Sequence, residues 1–253
     1  MMNIGMIGSG NVATVLSRLI VSKNHKVVQV MSRNIQNAAV LAEEVGAPFT
    51  NLEGIPDPSA DIFIVALSDN ALVNGWRPTG FRGKQVVHTA GSVSIDALKN
   101  WTDKYGVLYP LQSLRREMKA IPEIPLLIDA SDENMLHQLQ LLAYSISRSV
   151  ERAGDEKRLK LHTAAVVVNN FTNHLFEMAE AFCKKENVDF GMLVPLIIET
   201  ATRIQYVSPA IVQTGPAVRN DVHTIERHLA LLKEYPQLYK VYVQLTESIR
   251  SRK

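Results

Sequence analysis

Gly8, Gly10 and Ala13 follow the spacing G-x-G-x-x-A inside the stretch "NIGMIGSGNVATVLSRLI", Asn3 to Ile20. Residues so spaced act through the main chain. The first glycine allows a tight turn, the second lets a pyrophosphate approach the backbone, and a small third residue lets helix and strand pack closely. Ser9, Asn11 and Val12 complete the turn whose N–H groups would face the phosphates. The alternative is a plain glycine turn. Context separates the two: an apolar run, Asn3 to Ile7, precedes the motif, and Val12, Val15, Leu16, Leu19 and Ile20 follow it at helical spacing.

The next chemistry-bearing residues lie where a second strand should end, in "VMSRN", Val30 to Asn34. A site for NAD usually places an acid there to bind the ribose hydroxyls, and none is present. Ser32 and Arg33 offer a hydroxyl and a guanidinium where a 2'-phosphate would lie, which favours NADP over NAD. Arg33 as a solvated residue before a helix is the alternative. Leu67, Ser68 and Asp69 close a long apolar run and are expected to border the cofactor, with helix capping as the other role for Asp69. His88 ends a further apolar run and is followed by Thr89, Ala90, Gly91 and Ser92. Thr89 and Ser92 are candidates for contact with cofactor or substrate. His88 is either a catalytic residue or a buried imidazole bonded to backbone.

The candidates for proton chemistry lie farther along. His162 precedes Asn169 by seven residues and Asn173 by eleven, one helical face in an otherwise apolar stretch. An imidazole titrates near neutrality, so His162 could protonate a carbonyl or imine as hydride arrives, with Asn169 or Asn170 orienting the substrate. A satisfied polar network between helices is the competing role. Ser113 is a weaker candidate beside the strand end that carries His88. Arg219 could hold a substrate carboxylate or make a surface ion pair, and Asp221 is a good helix cap. His223 and His228 are five apart, so no metal-binding spacing occurs.

These residues need elements to carry them. Asn3–Ile7, the helix from Val12 and a strand from Lys26 to Met31 make one βαβ unit, after which Asn34 can cap and Gly46 can end a second helix. "DIFIVALS" (Asp61 to Ser68) and "KQVVHTAGS" (Lys84 to Ser92) read as buried parallel strands, "GVLYP" and "PLLID" as weaker ones. A helix is expected between Asp132 and Ile146, and a last strand near Ser149 to Glu151. Beyond "RAGD" (Arg152 to Asp155) the texture turns helical. Glu156 to about Lys185 could form one long helix, and Pro195 is expected to kink another, capped by Asp189. Ser208 to Asp221 is loop-rich, and two further helices finish the chain. The reading is a Rossmann-like doubly wound α/β domain over residues 1–152 and an all-α domain over 153–253.

Bulk properties narrow the function classes. The 253 residues carry a net charge of +2 with basic residues dispersed, apart from "LRRE" (Leu114 to Glu117) and the terminal "RSRK", so no nucleic-acid surface is expected. Cys183 is the single cysteine, which rules out an intrachain disulfide and fits a reducing cytoplasm. The least charged long stretch, Leu161 to Phe176, is broken by His162, Asn169, Asn170, Asn173 and His174 and makes a poor membrane span.

"IGMIGSGNVA" (Ile4 to Ala13) resembles the fingerprint of the superfamily of pyrroline-5-carboxylate reductase, ketopantoate reductase and the 3-hydroxyacid dehydrogenases. "VVHTAGS" (Val86 to Ser92), "YPLQSL" (Tyr109 to Leu114), "LKLHTAAVVVNNF" (Leu159 to Phe171) and "QTGPAVRND" (Gln213 to Asp221) narrow the likeness. They resemble proteins described as NADP-dependent oxidoreductases, in which a Rossmann-like domain precedes a helical domain of unknown function. The resemblance implies a helical domain like that of six-phosphogluconate dehydrogenase and a homodimer formed through it. One feature departs: the lysine that stands four residues before an asparagine in the 3-hydroxyacid dehydrogenases is replaced here by Ala165 or Val166. The expectation is an NADP-dependent oxidoreductase acting on a small carbonyl or imine compound in a cleft between two domains. The alternative is a non-catalytic NADP-binding sensor, and whether a deazaflavin takes part stays open.

Overall fold

The computed structural model describes residues 1–76 and 78–252, so Lys253 of the terminal basic group lies outside the described residues. The chain divides into two units, Met1–Asn169 and Asn170–Lys253.

The first unit is built on an eight-stranded sheet. Its strands are β1 (Asn3–Ile7), β2 (Lys26–Met31), β3 (Phe49–Thr50), β4 (Ile62–Val65), β5 (Gln85–His88), β6 (Lys104–Pro110), β7 (Leu126–Ala130) and β8 (Val150–Arg152). Their spatial order is β3-β2-β1-β4-β5-β6-β7-β8. All neighbours are parallel except β6 and β7, which run antiparallel from Gly106↔Ala130 to Pro110↔Leu126. The order reverses between β1 and β4. Such a switch point opens a crevice at the carboxyl ends of the strands, where open α/β sheets bind ligands.

Period-two alternation explains the layering. Met6, Ile62, Ile64, Val87, Leu108, Leu126 and Ile128 point to one face, packed under α1 (Asn11–Ser22), α2 (Ile35–Val45) and α3 (Glu133–Ile146). Ile7, Phe63, Val65 and Val86 point to the other, joined by Phe81, Trp101 and the partly buried Trp76. Farther along that second face, Val107, Tyr109 and Leu127 pack with Ala153 and the partly buried Leu161 of α4 (Asp155–Ala165). Local signals set the ends of α2 as expected, Asn34 accepting from the Asn37 N–H and Gly46 closing the helix in the left-handed conformation; α3 is capped by Asp132 through the Met135 N–H.

Several boundaries differ from the sequence reading. The two long apolar runs end as strands at Val65 and His88, because the residues beyond them turn into crevice loops. "GVLYP" and "PLLID" are full strands, and the two-residue β3 carried too little pattern to be read. The helical stretch from Asp155 to Lys185 is not one regular helix: a π-helical segment, Val166–Phe171, separates α4 from α5 (Thr172–Lys185). Pro195 does not kink a helix. Asp189 instead caps a 3-10 turn, Phe190–Leu193, and α6 (Val194–Arg203) begins with proline in its first turn, where the missing N–H costs nothing. The second unit ends with α7 (Val222–Leu231), capped by Asp221 through the Thr224 N–H, and α8 (Pro236–Arg250).

Among the described residues no helix is long and apolar enough to cross a membrane, and no three His, Cys, Asp or Glu side chains gather as a metal site.

Candidate active site

The glycine turn sits at the switch point. Gly8 has φ +114°, and a Cβ there would lie 2.3 Å from the Ala66 carbonyl oxygen at the end of β4, so only glycine lets these two strand ends approach. Gly10 is the N-cap of α1 with no side chain bonded to the helix N–H groups, and its Cα faces open space. Free N–H groups at a helix start with room before them are what a pyrophosphate requires. The residues present therefore fit a dinucleotide.

Ser32 is brought directly to this turn. Its buried hydroxyl lies 2.7 Å from the Ser9 hydroxyl, and the Gly8 N–H donates to the Met31 carbonyl at 2.7 Å. Arg33 is exposed and has no hydrogen-bond or ion-pair partner among the described residues. Asn11 is exposed, and its side-chain oxygen accepts from the backbone N–H and Nε of Arg116, each at 3.3 Å. Ala13 is fully buried against the sheet.

The loops after β4 and β5 meet at the same edge. The Ser92 hydroxyl donates to the Asp69 carboxylate, and Ser68 Oγ accepts from the Ala71 N–H at 3.4 Å. Leu67 packs against the second-face core, and the Thr89 N–H donates to the Val65 carbonyl at 3.1 Å. His88 has no solvent exposure. Its Nδ1 accepts from the Ala90 N–H at 3.2 Å. Burial, then the nearby Arg158 guanidinium, push its pKa down to about 4, so the ring is neutral.

His162 stands over this edge. Its Nδ1 lies 2.8 Å from the Tyr109 hydroxyl, with the two rings edge-to-face and centroids 5.8 Å apart. A Cβ on Gly91 would fall 2.7 Å from His162 Nδ1 and 2.9 Å from Tyr109 Cζ, so the pair is stacked on the glycine of the loop after β5. Burial foremost, with the field of Asp69, raises the Tyr109 hydroxyl pKa, and Arg158 works the other way.

Arg158 explains why α4 lies there. It is 1% exposed, and its Nη2 donates to the Val93 carbonyl and to Asp155 Oδ1, the latter at 2.7 Å. Asp155 also accepts from the Ile95 N–H at 3.1 Å. Burial opposes ionisation of Asp155, but bonds from Ser94, Arg158 and Ile95 outweigh it and lower its pKa. The first turn of α4 is thereby tied to the loop after β5, and His162 follows Arg158 by one helical turn.

His162, Gly91 and Ser92 are candidates on sequence grounds, whereas Tyr109 and Arg158 are not. The signals available were faint: Arg158 shares a helical face with His162, and Tyr109 ends a weak strand. Asn169 is exposed within the π-helical segment, and Asn170, in the same segment, opens the second unit. Counting back one π-helical turn from Asn169 and Asn170 reaches Ala164 and Ala165, so the missing lysine is missing in this register too. Ser113 is exposed in the loop between β6 and β7. Arg219, in the second unit, lines a hollow of about 1250 Å³ with Gln213, Arg250 and Arg252.

Residues 3–91 match the family described as NADP oxidoreductase, coenzyme F420-dependent, and residues 124–249 match a domain of unknown function, DUF2520. A Bacteroides fragilis protein designated an NADP oxidoreductase by inference is 36% identical, with a TM-score of 0.89 over 99% of this chain and 98% of that one. The chain belongs to the family of that Bacteroides fragilis protein. Within it, the glycine turn and the His162 edge both fall in the first unit of the oxidoreductase. A Thermotoga maritima protein is 21% identical with a TM-score of 0.73, covering 96% of this chain and 99% of that one. A reductive aminase from Aspergillus terreus, solved with NADPH and ethyl-5-oxohexanoate, is 16% identical with a TM-score of 0.71, covering 99% and 93%. At those identities the likeness is one of fold. No curated protein matches the chain.

Proposed function

We propose that this protein is an NADP-dependent oxidoreductase that moves a hydride to or from a small carbonyl or imine compound, with His162 as the group that protonates the substrate. The observation that carries the reading is the stacking of His162 and Tyr109 on Gly91, at the carboxyl end of a strand next to the one that packs against Gly8. Gly8 to Ala13 would hold the pyrophosphate, Ser32 and Arg33 the 2'-phosphate, and Leu67, Ser68, Asp69 and Thr89 would border the remainder. Bound NADPH supplies the hydride. The protonated His162 gives its Nε2 proton to the carbonyl oxygen or imine nitrogen, solvent returns that proton, and Asn169 orients the substrate. Buried His88 supports the loop that carries Thr89 and Ser92 and touches no substrate.

The helical unit would pair with a second copy of the chain, since it exposes Met192, Leu196, Ile198, Tyr206 and Ile211. Ala164 and Ala165, where a lysine could have served, favour a second reading, a non-catalytic NADP-binding sensor.

The test follows NADPH consumption over a panel of keto acids, aldehydes and imines. The enzyme reading expects turnover with at least one compound and a loss of about a hundredfold in His162→Ala. Full turnover in His162→Ala removes the residue from the role. Tight NADPH binding with no consumption across the panel supports the sensor.

A further inference from the structure

Resting on that reading, we propose that Tyr109 is the positioning residue for His162: it holds the imidazole through Nδ1 so that Nε2 is the nitrogen that meets the substrate. The bond is 2.8 Å, and among the described residues the Tyr109 hydroxyl has no other hydrogen-bond partner. Tyr109 is itself immobilised. It is 9% exposed, sits on β6 among Val107, Leu127 and Ala153, and packs with Leu161, the residue before His162. Gly91 closes the third side, because the space a Cβ would need is taken by the His162 and Tyr109 rings. Arg158 and Asp155 fix the helical turn before His162. The ring is thus held at one nitrogen, on a helix tied down at its start.

A hydroxyl suits both states of the ring. At rest it donates to Nδ1 of the neutral ring, whose hydrogen is then on Nε2, and it accepts from Nδ1–H once the ring is protonated and both nitrogens carry a hydrogen. After Nε2 gives its proton to the substrate, the remaining hydrogen stays on Nδ1 against the Tyr109 oxygen, and solvent returns the proton to Nε2. Tyr109 exchanges no proton with the substrate. The charged side chains whose fields reach its hydroxyl are Asp69 and Arg158, opposite in sign.

The experiment is nitrogen NMR of the full-length protein with labelled histidine, with and without NADP, in wild type and Tyr109→Phe. At a pH high enough for the ring to be neutral, the expected result is a hydrogen on Nε2 of His162 and an Nδ1 resonance at a hydrogen-bonded position, which moves to the unbonded position in Tyr109→Phe. Alongside, kcat falls about tenfold or more while the NADPH dissociation constant stays within about twofold. An Nδ1 resonance unchanged by Tyr109→Phe, or a neutral resting wild-type ring whose only hydrogen is on Nδ1, overturns the proposal. Gly91→Ala is the second variant: its Cβ would displace the ring, so the Nδ1 resonance should shift with Tyr109 intact. The ring signal needs no turnover. Failure of His162 as proton donor, read from His162→Ala, is therefore distinguishable from failure of Tyr109 to hold it.

Discussion

Arg33 and His88 stand at the ends of two strands of the same sheet under opposite conditions: one is in water, the other is sealed. The free guanidinium of Arg33, which follows Ser32 in sequence, is suited to a phosphate, and a charge-assisted bond of that kind contributes about 1.5–3 kcal/mol. Arg33→Ala should weaken NADPH binding by about 10- to 100-fold and leave NADH binding unchanged, as measured by fluorescence titration of both cofactors. Equal loss for the two would show that Arg33 does not read the 2'-phosphate. His88 bears on stability. Its ordinary pKa of 6.5 drops to about 4 on folding, so between those values the unfolded chain binds the proton and the folded chain does not. Stability at this position is full above pH 6.5, falls as pH drops to about 4, and loses about 3 kcal/mol over that window. Urea unfolding measured from pH 7 to 4 should show that slope, and His88→Asn, whose side-chain oxygen can still accept from the Ala90 N–H, should flatten it.

At the scale of elements, α4 is a helix whose amino acids say little about where it packs. Its sequence, "DEKRLKLHTAA", has only Leu159 and Leu161 as large apolar residues, and the only side chain it fully buries is that of Arg158. A buried guanidinium needs its carboxylate. Asp155→Ala would leave Arg158 with the Val93 carbonyl alone and free the Ile95 N–H, at a cost of about 2 kcal/mol given that Asp155 is itself partly exposed. Thermal unfolding should show that loss, with NADPH affinity kept because the glycine turn is on other elements. An unchanged melting temperature would mean that α4 is held by Leu161 and its neighbours instead. Elements with strong local rules were legible in advance: the caps at Asn34, Gly46 and Asp221, and the strand-turn-helix around Gly8. The π-helical segment was not, because "AAVVVNNF" reads equally well as α-helix. Pro195 was misjudged because proline serves the first turn of a helix as readily as it kinks an interior, and sequence spacing does not say which.

For the whole molecule, the contrast between the units is one of burial. The large clusters of buried apolar residues lie in the first unit, whereas Leu196, Ile198, Met192 and Ile211 of the second stay exposed. Exposed apolar side chains on a helical unit of fewer than a hundred residues are poorly supported by that unit alone. Sedimentation of the full chain should therefore give twice the chain mass, and charged substitutions at Leu196 and Ile198 together should reduce it to one. A monomeric wild type would remove the pairing. The sequence by itself determined what depends on neighbours along the chain: the glycine turn, the alternation of strand and helix, the missing acid after β2, and the change to helix beyond Arg152. Tertiary structure decided what depends on strands and helices far apart in sequence. It put Tyr109 under His162 across 53 positions, set Gly91 against both, and buried Arg158 beneath the Val93 carbonyl. The reason is that backbone turns and caps are fixed by local sterics and hydrogen bonding, whereas a pair of side chains meets only after sheet order and helix docking have been chosen.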